Sequence, residues 1–254
     1  MSLRLAATLA RPAAAPRPGW RRVALPAHAG DCHADWLDLD ADLALVHSRY
    51  TPSQDLIEES AAGQGGRTLA ITLALHGASA YCGADGSALD FRGGHTTVTA
   101  FGRRHGERRY AGGATVSQLR LLVGEPALRR YAGDAQANAL LGDGALRQLA
   151  QGRTPADLAA LASELARGCD PLDGHIKALT LLSRQLRSLA APPEPGRLSQ
   201  ADIARLEQAR ALMVEQLNRD LTVQYLCLAT GLNEFKLKAV SYTHLRAHET
   251  DSYL

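Results

Sequence analysis

Apolar residues between Leu43 and Val123 fall into short groups separated by turn residues: Leu43 to Tyr50, Thr68 to His76, His95 to Phe101 and Thr115 to Val123. Each group has the length of a strand, and glycines punctuate the intervals at Gly63 to Gly66, Gly83 to Gly86, Gly93-Gly94 and Gly112-Gly113. In the last group Ser117 and Arg120 interrupt strict alternation, which predicts a strand buried on more than one face. The expected result is an antiparallel β-rich domain, either a barrel or a sandwich. Ahead of it, Met1 to Asp31 is rich in Ala, Pro and Arg and has no sustained period, so the pattern predicts an irregular leader.

Beyond Gly124 the pattern becomes helical. Glu125 to Tyr131 and Ala145 to Gln151 read as short helices. Thr154-Pro155-Ala156-Asp157 has the form of a helix start, with Thr154 as N-cap, and Leu158, Leu161, Ala162 and Leu165 supply the apolar stripe that follows. A long helix is predicted from Leu172 to Leu189, striped by Ile176, Leu179, Leu182, Leu186 and Leu189. Three prolines between Ala190 and Gly196 end it and place the main domain boundary. Ser199 to Asp202 opens a further helix, with Ile203, Leu206, Ala209, Met213 and Leu217 on one face, ending near Asp220. The expected fold class is α+β, with a leader over 1–31, a β-rich domain over 32–135, a helical segment and linker over 136–196, and an all-α unit over 197–239.

Leu221 to Ala239 carries the most specific pattern in the chain. Thr222 can cap a first short helix, Gly231 can take the positive φ where that helix stops, and Asn233 can cap a second. Leu226, Leu232 and Leu237 would fill the space between the two, with Cys227 where a small side chain permits close approach. Two capped helices meeting at a tight turn describe a helix-turn-helix and, equally, a plain αα-hairpin. As a helix-turn-helix, the motif has its turn at Thr230, Gly231 and Leu232. Asn233, Glu234, Phe235, Lys236 and Lys238 then stand at the start of the helix that enters a major groove.

The wording of the motif separates the two. Arg205 to Ala239, and above all Gly231-Leu232-Asn233-Glu234-Phe235-Lys236-Leu237-Lys238, resembles the first helix-turn-helix of the AraC/XylS family of bacterial transcription regulators. It looks most like the branch of the pyochelin regulator, whose members often control iron-siderophore genes. Leu45 to Tyr50, Glu58-Glu59-Ser60, Arg67-Thr68-Leu69 and His95 to Phe101 are similar to phrases of that branch. The resemblance implies a β-rich domain that senses a small-molecule effector such as a ferric siderophore, and a helical segment able to form a homodimer. It also implies a C-terminal domain of two helix-turn-helix units on double-stranded DNA, with Lys236, Lys238 and Arg219 anchoring phosphates. After Ala239 the family pattern would continue with Gly-Phe, whereas Val240 to Thr250 resembles a translated transposase-type sequencing adapter. Residues 240–254 are therefore expected to be an artefact, the DNA-binding domain to be cut within its first motif, and operator binding by this chain to be weak or absent.

Composition bounds these readings. The chain has 254 residues, 46% hydrophobic and 21% charged, which is ordinary usage for a soluble chain of more than one unit. A net charge of +2 gives no global electrostatic case for nucleic acid, so the DNA reading rests on the motif. Cys32, Cys82, Cys169 and Cys227 are too scattered for a zinc ribbon or a disulfide framework, and a reducing cytoplasm fits them. Arg11 and Pro12 interrupt the N-terminal apolar stretch, and no run reaches the length of a membrane span.

No catalytic, metal or cofactor site is expected. His76, His95 and His105 raise the alternative of a cupin-like metal enzyme, but the His-x-His pair such a barrel brings is missing. His244 and His248 lack the His-Glu-x-x-His pattern. A third alternative is a small-molecule-binding interaction module that uses the Leu172 to Leu189 helix. Arg103-Arg104-His105-Gly106-Glu107-Arg108-Arg109 reads as a solvated hairpin turn, or else as the contact for an anionic effector.

Overall fold

Leu119, Leu121 and Val123 are fully buried on one side of their strand, while Gln118, Arg120 and Leu122 point to the other. This alternation recurs in every long strand and organises the first of the chain's two compact units, Met1–Ala190 and Ala191–Leu254. The computed structural model describes residues 2–60, 66–102, 106–190, 200–215 and 222–230.

The first unit opens with short strands β1 (Leu3–Ala6), β2 (Arg11–Ala13) and β3 (Arg21–Ala24). Longer ones follow: β4 (Gly30–Asp40), β5 (Leu43–Pro52), β6 (Leu56–Ser60) and β7 (Thr68–His76). Next come β8 (Ala78–Gly83), β9 (Ala88–Arg92), β10 (His95–Phe101), β11 (Gly106–Tyr110) and β12 (Val116–Gly124). Two helices, α1 (Glu125–Ala132) and α2 (Asp134–Leu141), precede β13 (Arg147–Arg153), and α3 (Ala156–Arg167) and α4 (Pro171–Ala190) complete the unit. The strands form an eight-stranded sheet in the order β13-β10-β7-β12-β5-β4-β3-β2 and a five-stranded sheet in the order β1-β6-β11-β8-β9.

The chain changes sheets between β7 and β8, at Gly77. There φ is +73°, and a Cβ would come within 2.3 Å of the Thr115 carbonyl oxygen, so only glycine fits this corner. The helices cover one face of the large sheet. Leu43, Leu45, Leu69, Ile71, Leu73, Val98, Leu119 and Leu121 form a single core with Leu128, Leu141, Leu158, Leu165, Leu181 and Leu182. Each fully buried leucine of this layer contributes on the order of 1.5–3 kcal/mol.

Three expectations are corrected. The segment 1–31, expected as an irregular leader, contributes strands to both sheets through its described residues, 2–31. Arg22 pairs bidentately with buried Asp35 on the neighbouring strand, at 2.6 and 2.8 Å, and Trp20 Nε1 donates to the Cys169 carbonyl at 3.3 Å. Strands of three or four residues are too short to show a period, which is why the pattern missed them. Of Ala145 to Gln151, expected as a helix, Arg147 to Gln151 belong to β13 at the edge of the large sheet, where pairing with β10 decides the conformation. Thr154 does not cap α3, because its hydroxyl pairs with that of Thr96 at 2.8 Å.

On α4 the buried face runs through Gly174, Ala178, Leu181, Leu182, Gln185 and Leu186. Ile176, placed on the apolar stripe by its spacing, is instead 57% exposed, as is Leu172 at 71%. The second unit contains α5 (Gln200–Glu215) and α6 (Val223–Thr230), in contact through Ala209, Leu212, Leu226 and Cys227. Thr222 caps α6 by accepting from the Tyr225 backbone N–H at 3.2 Å. No helix among the described residues is long and apolar enough to cross a membrane.

A charged cluster ties the entry to β7 to the helix layer. Arg67 donates to both carboxylate oxygens of Glu125 at 2.9 and 2.5 Å and to the Gly142 carbonyl, while Arg129 reaches Glu125 at 2.8 Å. Hydrogen bonds from Arg67 and then Arg129 hold the Glu125 carboxyl down from 4.5 to about 2. A carboxyl depressed in the folded state stabilises the protein above its unfolded value and loses that contribution as pH falls toward the folded one. Urea unfolding is therefore expected to show stability dropping between about pH 5 and pH 2. Glu125→Gln should be less stable at neutral pH and lose less across that window; identical pH slopes for the two proteins would refute this role.

Candidate functional site

The faces of the two sheets that turn away from the helices border a cavity of about 420 Å³. Strand alternation decides what lines it. From the large sheet come Trp36 on β4, Tyr50 on β5, Thr72 on β7, Thr99 and Phe101 on β10, and Arg120 and Leu122 on β12. The small sheet contributes Glu58 on β6, Tyr81 on β8, Phe91 on β9, and Arg108 and Tyr110 on β11. Ala7, Ala10 and Val23, from the segment expected to be an irregular leader, also border it. Six of the chain's twelve Phe, Trp and Tyr residues line this one space, in a sequence that is only 5% aromatic. Two other clefts, near Thr96 and Arg184 and near Asp42 and Gly124, are more open and have no aromatic lining.

Polar groups in the cavity are held in two networks. Arg108 lies over the Phe91 ring, 4.9 Å from its centre, and donates to Gln118 Oε1 at 2.9 Å. Gln118 Nε2 in turn donates to Ser79 Oγ at 2.9 Å, so a buried amide bridges the sheets. On the other side Tyr50 and Tyr110 stack with centres 4.7 Å apart, and the Tyr50 hydroxyl donates to Glu58 at 3.1 Å. Burial pushes the Tyr110 hydroxyl up to about 12 and raises Tyr50 well above its ordinary value, with Glu58 reinforcing both. Both phenols are therefore neutral donors at physiological pH.

Arg120 belongs to neither network. Its guanidinium makes no hydrogen bond or ion pair among the described residues; Nε is sealed off without a partner, while the terminal nitrogens keep accessible surface on the cavity side. Burial and then the nearby Arg108 push its pKa below the ordinary arginine value, yet a guanidinium stays charged in protein. Trp36 Nε1 is a second buried donor without a partner. The charged groups lining the cavity among the described residues are Arg108, Arg120 and Glu58, which leaves one positive charge uncompensated.

The residues singled out in the sequence fall elsewhere. Thr230 is the last residue of α6, where its hydroxyl donates to the Leu226 carbonyl at 2.7 Å. Gly231, Leu232, Asn233, Glu234, Phe235, Lys236 and Lys238 lie outside the described residues. In the Arg-rich segment, Arg103, Arg104 and His105 also lie outside them, Arg109 is exposed and paired with Glu107, and Arg108 turns inward rather than standing in a solvated turn. His76 is exposed and His95 Nδ1 lies 3.2 Å from the Gly93 carbonyl. No three His, Cys, Asp or Glu side chains gather to hold a metal among the described residues. Sequence reasoning missed the cavity walls, although Arg120 flanked by Leu119, Leu121 and Leu122 was a visible signal: a charge inside an apolar strand.

The chain matches no family model and no curated protein. Among solved structures it is similar to the AraC-like transcriptional activator CuxR, at 16% identity and a TM-score of 0.42, over 93% of this chain and 87% of that one. It is also similar to ToxT from Vibrio cholerae, at 9% identity and a TM-score of 0.37, over 78% and 74% of the two chains. A Cupin_2 domain of an XRE family transcriptional regulator from Enterobacter cloacae gives 15% identity and a TM-score of 0.29, over 35% of this chain and 93% of that one. Likenesses this distant assign no residue a role.

The inter-sheet amide is testable. Gln118→Ala would leave Arg108 Nη1 and Ser79 Oγ without their partner at a buried site, at an expected cost of about 2 kcal/mol or more. Urea denaturation measures it, and a loss under about 0.5 kcal/mol, the range of an ordinary surface change, would show the bridge to be dispensable.

Proposed function

We propose that this chain is a cytoplasmic transcription regulator whose β-rich unit binds a small-molecule effector between its sheets and whose C-terminal unit contacts double-stranded DNA. The observation that carries the effector half is the aromatic-lined cavity between the sheets with one uncompensated cation. Concave, largely apolar sites of this volume with a few converging polar groups are the usual form of a small-molecule site. The DNA half rests on the sequence of Leu221 to Ala239, with Thr230, Gly231 and Leu232 as the turn and Asn233, Glu234, Phe235, Lys236 and Lys238 facing the groove.

The resemblance in sequence adds that the effector is a ferric siderophore and that the protein acts as a dimer. An aromatic chelate would find stacking partners in the cavity, and titration with a siderophore in its free and ferric forms tests that finer claim. For the dimer, the exposed pair Leu172 and Ile176, one turn apart on α4, is the proposed contact. Sedimentation is expected to show a concentration-dependent dimer that Leu172→Glu with Ile176→Glu converts to monomer; a monomer at all concentrations would exclude it.

DNA contact is expected to be weak and strongly salt-dependent. In fluorescence anisotropy at low salt, removing Lys236 and Lys238 together should weaken binding across all sequences and reduce the salt slope by roughly 2. Binding unchanged by that double substitution would remove DNA recognition from this segment.

A further inference from the structure

We infer that the inter-sheet cavity is a receptor for a small aromatic monoanion, an aryl carboxylate, and that the Arg120 guanidinium takes the carboxylate. The inference rests on the proposal above that the cavity takes an effector, and stands in place of the siderophore suggested there. Three observations converge on it, the first being the polar inventory. Glu58 already accepts from Tyr50, and Arg108 is committed to Gln118 and to the face of Phe91. What remains without a partner in the lining, among the described residues, is donor capacity at Arg120 and at Trp36 Nε1, and of the two only Arg120 carries charge. A guanidinium without a partner calls for a group that accepts, and a carboxylate meets its fork with two parallel bonds.

The second is charge. The lining carries two cations and one anion, so a single negative charge brings it to neutrality, whereas a dianion would overshoot. Glu58 is the single carboxylate of the lining among the described residues and makes no ion pair with Arg120, and a guanidinium cannot escape by losing its proton, so the site favours one further anion.

The third is the wall. Tyr81, Phe91, Phe101 and the stacked pair Tyr50 and Tyr110 surround the charged end with flat surfaces, which favour a planar ring through offset and edge contacts. A volume of about 420 Å³ lies near the small end of the range for small-molecule sites, which suits one or two fused rings.

The test titrates the full chain with 2-naphthoate, its neutral counterpart 2-naphthamide, and octanoate. Tryptophan fluorescence is a direct readout, since Trp36 lines the cavity while Trp20, the second tryptophan, lies in the helix-covered core. Calorimetry supplies the affinities. Naphthoate is expected to bind at least about tenfold more tightly than the amide, the usual worth of a charged hydrogen bond, and more tightly than octanoate. Arg120→Met should abolish the preference for the acid while leaving the thermal midpoint unchanged or higher, because it replaces an unpaired buried charge with a similar apolar volume. Arg120→Lys keeps the charge without the fork and should retain the preference at reduced affinity.

Undiminished naphthoate binding in Arg120→Met overturns the inference, and octanoate binding as tightly as naphthoate overturns its aromatic part. If amide and acid bind equally well and Arg120→Met alters neither, the anion inference fails while the cavity remains an effector site. If none of the three probes binds, the effector reading itself fails.

Discussion

Strand β12 buries both of its faces, and the two faces ask for opposite chemistry. One, through Leu119, Leu121 and Val123, must satisfy a close-packed layer of helices; the other, through Gln118, Arg120 and Leu122, borders a space that the second sheet does not fill. The period of two along a strand makes this separation absolute, since a slip of one residue would drive Arg120 into the leucine core and expose leucines to the cavity. Ladder pairing with β5 on one side and β7 on the other fixes the register. The same division extends to β7, where Leu69, Ile71 and Leu73 join the core while Ala70 and Thr72 border the cavity. A leucine layer on one side therefore permits a polar, functional surface on the other.

Much of this was legible in the sequence, and what escaped has identifiable causes. The four strand-length apolar groups correspond to β5, β7, β10 and β12, because long strands in a buried sheet leave a clear hydrophobic record. The small, polar strand β11 left none: Glu107 and Arg109 face outward and pair with each other, and Arg108 between them is indistinguishable in sequence from its neighbours. Only pairing with β6 and β8 shows which of the three points inward. Residues 1–31 escaped for a related reason. Their stability comes from partners far along the chain, such as Asp35 for Arg22, Glu59 and Glu107 for Arg4, and Cys169 for Trp20. Local pattern cannot report contacts of that range, and Arg and Pro in short stretches look like linker.

The cavity shows the opposite relation between sequence and structure. Its walls come from ten strands, each giving one to three residues, so no local motif encodes it. What the sequence does contain is an anomaly in each piece: Arg120 among leucines, Gln118 one turn of the pleat before it, and Trp36 between Asp35 and Leu37. Local rules broken without local compensation mark places where tertiary structure, or a ligand, supplies the missing partner. For Gln118 the partners are Arg108 and Ser79, within the protein. For Arg120 none is found among the described residues, which is the distinction between a structural polar group and a receptive one.

On the proposed function, an unpaired guanidinium would give the cavity a way to act on the fold around it. A ligand shifts a conformational equilibrium only by the difference in its affinity for the two states. On the proposal above, an anion would gain its pairing with Arg120 only while the two sheets hold their present spacing, since the lining comes from both. An anion that paired with Arg120 would stabilise this arrangement of β12 against its neighbours, with the logarithm of ligand concentration over Kd. The opposite face of β12 is the surface on which α1 and α3 pack. Because the core there is close-packed, a small change in the strand cannot be absorbed locally and must be met by the helices, so charge compensation in the cavity and packing of the helical layer are two sides of one strand.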